Sequence, residues 1–168
     1  MARKLILTAL FLAQGTLYAV PLGVQLGLSF SRSNRPGDTA TGLLGGLTTD
    51  LSLASGIGFA PEANLFVPSG NVTYVSLPLL FRGSLDLSPD FALQLLLGPD
   101  IGFRLTGATF RATNLWLATG LALYTRISES LGIRLSLRHG LGLTDFTAAG
   151  GDDRLHYVQL VLGAYFQI

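Results

Sequence analysis

Leu155-His-Tyr-Val-Gln-Leu-Val-Leu-Gly-Ala-Tyr-Phe-Gln-Ile168 alternates from Tyr157 onward. Val158, Leu160, Leu162, Ala164, Phe166 and Ile168 share one parity, and Tyr157, Gln159, Val161, Gly163, Tyr165 and Gln167 share the other. A period of two is the signature of a β-strand, whose successive side chains point to opposite faces. One face is wholly apolar and the other is mixed. Such a strand suits the final stave of a transmembrane barrel, which pairs with the first strand and turns its apolar face to lipid.

The same pattern recurs upstream. Strands are expected at about 23–31, 41–54, 57–67, 72–85, 91–105, 113–126 and 131–143, with 155–168 as the eighth. Leucines set one parity in each: Leu93, Leu95 and Leu97 oppose Gln94 and Gly98, and Leu135 and Leu137 oppose Arg134, Ser136 and Arg138. Pro61 interrupts the third strand and is expected at a bulge or bend, since it brings no N–H to a ladder. Ser55-Gly56, Asp86–Asp90 and Ser128–Ser130 read as tight turns. Residues 32–40, 68–71, 106–112 and 144–154 read as the loops of the opposite end. The predicted fold is all-β: an eight-stranded antiparallel up-and-down transmembrane β-barrel, each strand long enough to cross at a tilt.

Composition agrees. Only 12% of residues are charged and 49% are hydrophobic. Beyond the N-terminus no run reaches the ~18 apolar residues of a transmembrane helix. At the N-terminus, Arg3 and Lys4 precede an apolar stretch from Leu5 to Ala13 and then small residues. Residues 1–19 therefore read as a cleaved signal peptide, with 20–168 as the barrel domain. Loss of Arg3 and Lys4 takes the basic residues from 11 to 9 against 10 acids, a net charge of −1. No basic face remains for nucleic acid. The absence of cysteine excludes disulfides and thiol chemistry.

The strand-borne charges are Asp50, Glu62, Arg82, Asp100, Arg104, Arg126, Arg134 and Arg138, all on the parity opposite the leucines. An arginine facing lipid at mid-depth costs ~2–4 kcal/mol. The leucine face is therefore the lipid face, and the eight charged residues are expected to form a structural network in the lumen. Glycines 98, 102, 120, 140, 142 and 163 are expected to make room for the long arginines. A soluble lipocalin-type barrel has the same strand count but places its apolar face inside.

Tyr74-Val-Ser-Leu-Pro-Leu-Leu-Phe81, Leu97-Gly-Pro-Asp-Ile-Gly-Phe103 and Leu137-Arg-His-Gly-Leu-Gly-Leu-Thr144 occur in that order, before the closing strand. They resemble the Y-x-x-I/L-P-L-L, G-P-x-x-G-Y and R-Y-G-L-G-L-T patterns of the PorT-like outer-membrane β-barrel domains. His139 and Phe103 stand where tyrosine is usual. The resemblance implies a small barrel of the OmpA/OmpX type in a bacterial outer membrane, with both mature termini periplasmic. Its expected partners are outer-membrane lipid and the barrel-assembly machinery during insertion. It implies no shared catalytic residues, and no cofactor or metal is expected.

Three functions are compatible with these residues. The leading one is a non-enzymatic structural or interaction barrel, with recognition in the outer loops. The second is a small-solute or ligand-binding transport barrel using the arginine-rich lumen. The third is a lipid-modifying enzyme with His139 as base, although Leu141 stands where a lipid A deacylase would place serine. His156 reads as an interfacial residue, or as a loose divalent-cation ligand with Asp152 and Asp153. Phe30, Phe59, Phe81, Phe91, Phe103 and Phe166 read as interface girdles.

Overall fold

The computed structural model describes residues 20–33, 39–69, 72–106, 112–145 and 153–167. The expected signal segment and most of the loop residues lie outside them. The strands are β1 (Leu22–Ser33), β2 (Thr39–Thr49), β3 (Leu51–Ala54), β4 (Ile57–Ser69), β5 (Val72–Ser88), β6 (Phe91–Arg104), β7 (Thr113–Arg126), β8 (Leu131–Gly142) and β9 (Leu155–Phe166). Every neighbouring pair is antiparallel. The order runs β2-β1-β9-β8-β7-β6-β5-β4-β3, and a further β2–β4 pairing closes the ring. Since β2 and β3 are two lengths of one stave, the molecule is a closed eight-stranded barrel.

Pro61 explains the division of that stave. Thr48 pairs with Glu62 and Leu51 with Phe59, one unbroken register, yet the ladder is interrupted between them, opposite Pro61. A proline offers no N–H there, so the neighbouring strand lapses at Asp50. The expected bulge occurs instead in β3, between Ser52 and Ala54. Ser55-Gly56 makes the turn into β4, with Gly56 at φ 71°, a conformation glycine adopts without a Cβ clash.

Leu22 pairs with Phe166, so the start of β1 and the end of β9 share one rim. The turns at 55–56, 89–90 and 127–130 lie at this terminal rim. The strand ends that flank the longer connections, 34–38, 105–112 and 143–154, are at the far rim. The β4–β5 connection is the exception there, because these strands run on to Ser69 and from Val72.

Inside and outside follow the parity. Val158, Leu160, Leu162 and Phe166 of β9 face outward, while Tyr157, Gln159, Val161 and Tyr165 are buried. Leucine, valine and phenylalanine form a band round the exterior; Leu26, mid-way along β1, is 73% exposed. A soluble monomer rarely leaves contiguous apolar patches above a few hundred Å². A band of this extent is the lipid-facing surface of a transmembrane barrel, whose backbone polar groups all pair between strands.

Candidate functional site: the polar lumen

At the heart of the lumen is Glu62, 4% exposed, carried inward by β4. Arg138 of β8 grips it through two bonds: Nη1 donates to Oε2 at 2.6 Å and Nη2 to Oε1 at 2.8 Å. Arg134, one inward position along the same strand after Ser136, donates from Nη2 to Oε1 at 3.0 Å. Gln25 of β1 and Asn64 of β4 donate to Oε2 at 2.6 and 3.2 Å. Gln25 also donates to Asn64 Oδ1 at 2.8 Å, and Arg138 Nε to Ser136 Oγ at 3.1 Å. Removing such ions from water costs several kcal/mol each. A forked guanidinium on a carboxylate, with amides on the remaining lone pairs, offsets that cost.

Toward the terminal rim, Arg82 Nε lies 3.0 and 2.9 Å from the two Asp50 oxygens and Arg82 also bonds Ser84. Arg134 Nη1 is 4.0 Å from Asp50, and its guanidinium lies 4.6 Å from the centre of the Tyr165 ring. Toward the far rim, Asp100 accepts hydrogen bonds from Ser76 Oγ at 2.5 Å and Tyr157 OH at 2.7 Å.

Above this layer the lumen is filled by aromatic rings. Phe66, Tyr74, Trp116 and Tyr157 meet with centroid separations of 5.2 to 6.0 Å, mostly edge to face. Trp116 Nε1 donates to the Leu155 carbonyl at 2.9 Å, and Asn114 Nδ2 to Tyr74 OH at 2.7 Å. Val72 and Leu155 complete this cluster. Parity reveals that these four rings face inward, but their convergence depends on the shear of the barrel. Alternation puts Tyr74, Trp116 and Tyr157 opposite the leucines, but nothing in the sequence joins them to Phe66 as a plug.

Six of the eight expected network residues, Asp50, Glu62, Arg82, Asp100, Arg134 and Arg138, line the lumen in these layers. Arg104 sits at the far rim, where its register partner is Tyr74. Arg126 is exposed at the terminal rim, 4.0 Å from Asp90, apart from the network. Its parity is inward, but it is the last residue of β7, where the wall ends. The glycine expectation also needs correction. Of the six named, Gly120 borders Arg138, whereas Gly102 accommodates the Trp116 ring and Gly140 the Tyr157 ring. Gly98 and Gly142 let adjacent backbones approach, and Gly163 abuts Tyr165 and Gln25.

His139 faces outward, with Thr119 and Val158 as its cross-strand partners and Leu137 and Leu141 beside it. None of these positions supplies a carboxylate to orient the imidazole. His156 is on the outward parity and Asp153 on the buried one; Asp152 lies outside the described residues. No group of three potential ligands that could hold a metal occurs among the described residues. Phe59 and Phe81, 5.3 Å apart, and Phe30, Phe91, Phe103 and Phe166 stand on the exterior parity.

No family model and no curated protein matches the chain. Among solved structures it is similar to Neisserial surface protein A, with a TM-score of 0.60 at 12% identity over 88% of this chain and 97% of that one. It is also similar to Ail, the attachment invasion locus protein of Yersinia pestis, with a TM-score of 0.50 at 15% identity over 87% and 97%. At such identities the likeness is one of fold: the chain is a closed, all-antiparallel eight-stranded barrel of the architecture found in small outer-membrane barrels.

Proposed function

We propose that this chain is an integral outer-membrane barrel with a structural or interaction role, performing no chemistry and conducting no solute. The carrying observation is the filled lumen: Glu62 is held by Arg134 and Arg138, and the Phe66–Tyr74–Trp116–Tyr157 plug sits over it. An eight-stranded barrel is only just wide enough for its own side chains. The exterior leucine band supports the membrane setting, and the PorT-like resemblance, resting on its motifs alone, supports the outer membrane. In this reading residues 1–19 direct export and are removed. The terminal rim is periplasmic, since short turns belong on that side. The far-rim loops then carry any recognition of an envelope or extracellular partner, and the barrel-assembly machinery inserts the chain.

The test is folding of residues 20–168 into detergent, followed by electrophoresis with and without boiling and by recording in planar bilayers. Expected are a folded band migrating apart from the boiled one and a flat current trace. Discrete conductance steps abolished by Arg134→Ala or Arg138→Ala would replace this reading with the transport barrel. Acyl release from outer-membrane lipid that is lost in His139→Ala would replace it with the enzyme.

A further inference from the structure

Among the described residues, the outward cations of the far rim are gathered on one side of the barrel. Arg32 is the last residue but one of β1, His139 lies three residues before the end of β8, and Arg154 and His156 flank the start of β9. At the same end, β4 to β7 turn Val67, Thr73, Phe103, Thr113 and Leu115 outward. Arg32 and His156 are direct cross-strand partners, a relation that brings Cβ atoms to ~4.5–5.5 Å. His139 pairs with Val158, which puts it diagonal to His156 on the same face, ~7–8 Å away by strand geometry. His156 lies in the electrostatic field of both His139 and Arg154. The acids here among the described residues are Asp145, opposite Arg154, and Asp153, which is buried on the inward parity.

Two details give this patch the form of a site. The Gly142 N–H donates to His156 Nδ1 at 3.4 Å, which leaves Nε2 as the proton-bearing donor edge of the ring. Beside Arg32 a groove of about 380 Å³ runs between the ends of β1 and β2, lined by Phe30, Ser31, Arg32, Thr39, Ala40 and Thr41. A guanidinium and hydroxyls thus stand at the mouth of a cleft whose lower wall is Phe30, above the outward Leu28 and Val158. Cation at the rim and apolar surface below match an amphiphile whose head is anionic. Arginine's planar fork fits the oxygens of a phosphate in particular.

We propose that the β8–β9–β1 face at the far rim binds the phosphate-bearing headgroup of a membrane lipid, with its acyl chain along Phe30, Leu28 and Val158. This rests on the membrane reading above. Loss of the heat-shifted band would defeat both, whereas a folded barrel without selective lipid retention defeats this one alone.

The experiment is native mass spectrometry of the detergent-folded barrel with phosphatidic acid, phosphatidylcholine or inorganic phosphate. Phosphatidic acid is expected to be retained about tenfold over phosphatidylcholine. That preference is expected to vanish in Arg32→Gln/His156→Gln and to survive in Arg126→Gln at the opposite rim. Heat-shifted mobility verifies that each variant is folded, and Arg32→Gln alone serves if the double variant is not. Equal retention of the two lipids, or a preference unchanged by the Arg32 substitution, overturns the proposal. Displacement of phosphatidic acid by inorganic phosphate at matching concentration also overturns it, by assigning the patch to a soluble phosphate.

Discussion

Glu62 is the acid that makes two buried guanidiniums tolerable. Arg134 and Arg138 are 2% and 3% exposed, and a buried guanidinium is tolerated only beside a partner that offsets its lost hydration. Glu62→Ala is therefore expected to cost ~3–5 kcal/mol of folding free energy, the range for removing one member of a buried ion pair. Replacing both ends, as Glu62→Gln with Arg138→Met, is expected to cost less than the sum of the two single changes. Urea titration of the vesicle-inserted barrel, read by the heat-shifted band, measures all four states; additive costs would show that the pair is not coupled. Parity alone placed Glu62 and Arg138 on the inward face, because a period of two fixes the side on which each residue lies. It could not join them. They stand 76 residues apart on non-adjacent staves, and their meeting depends on barrel shear, which no single strand encodes. Arg126 shows the complementary limit: parity gives direction but not the height at which the wall ends.

At the scale of the strand, glycines set how closely aromatic rings lie against the inner wall. A Cβ at Gly140 would run into the Tyr157 ring, displacing the hydroxyl that donates to Asp100. At Gly83, on the outside of β5, a Cβ would meet nothing within 4 Å. Gly140→Ala is expected to destabilise by ~1–3 kcal/mol, as overpacking does, and Gly83→Ala by no more than ~0.5 kcal/mol. Chemical denaturation of both variants tests the contrast, and equal effects would refute it. The strands themselves were legible because leucine alternates with small or polar residues along almost every one. The division of the second stave was not, because its cause lies across the ladder in Pro61. The turn expected at 68–71 starts two residues later for a related reason: Pro68 and Ser69 are turn formers by type, yet antiparallel pairing carries β4 through them to Ser69.

For the molecule as a whole, the decisive property is that the apolar face is outside and the charged face inside, the inverse of a soluble barrel. Leu160 sits midway along β9 and turns outward, 44% exposed. Its cross-strand partners Leu28 and Leu137 are equally apolar. In water, arginine at such a surface position would change stability by little, within the ~0.5 kcal/mol usual for exposed sites. In a bilayer the same guanidinium must enter hydrocarbon or drag water and headgroups toward it, at ~2–4 kcal/mol near the midplane and ~0–1 kcal/mol near the interfaces. Leu160→Arg is thus expected to lower the folding free energy in phosphatidylcholine vesicles by the larger amount. Phe166→Arg, at the terminal rim, is expected to lower it by the smaller. Urea titrations of the two variants beside the unsubstituted chain distinguish the cases. A depth-dependent penalty fixes the leucine band in lipid, and a penalty near zero at both positions would turn the barrel back into a water-facing one.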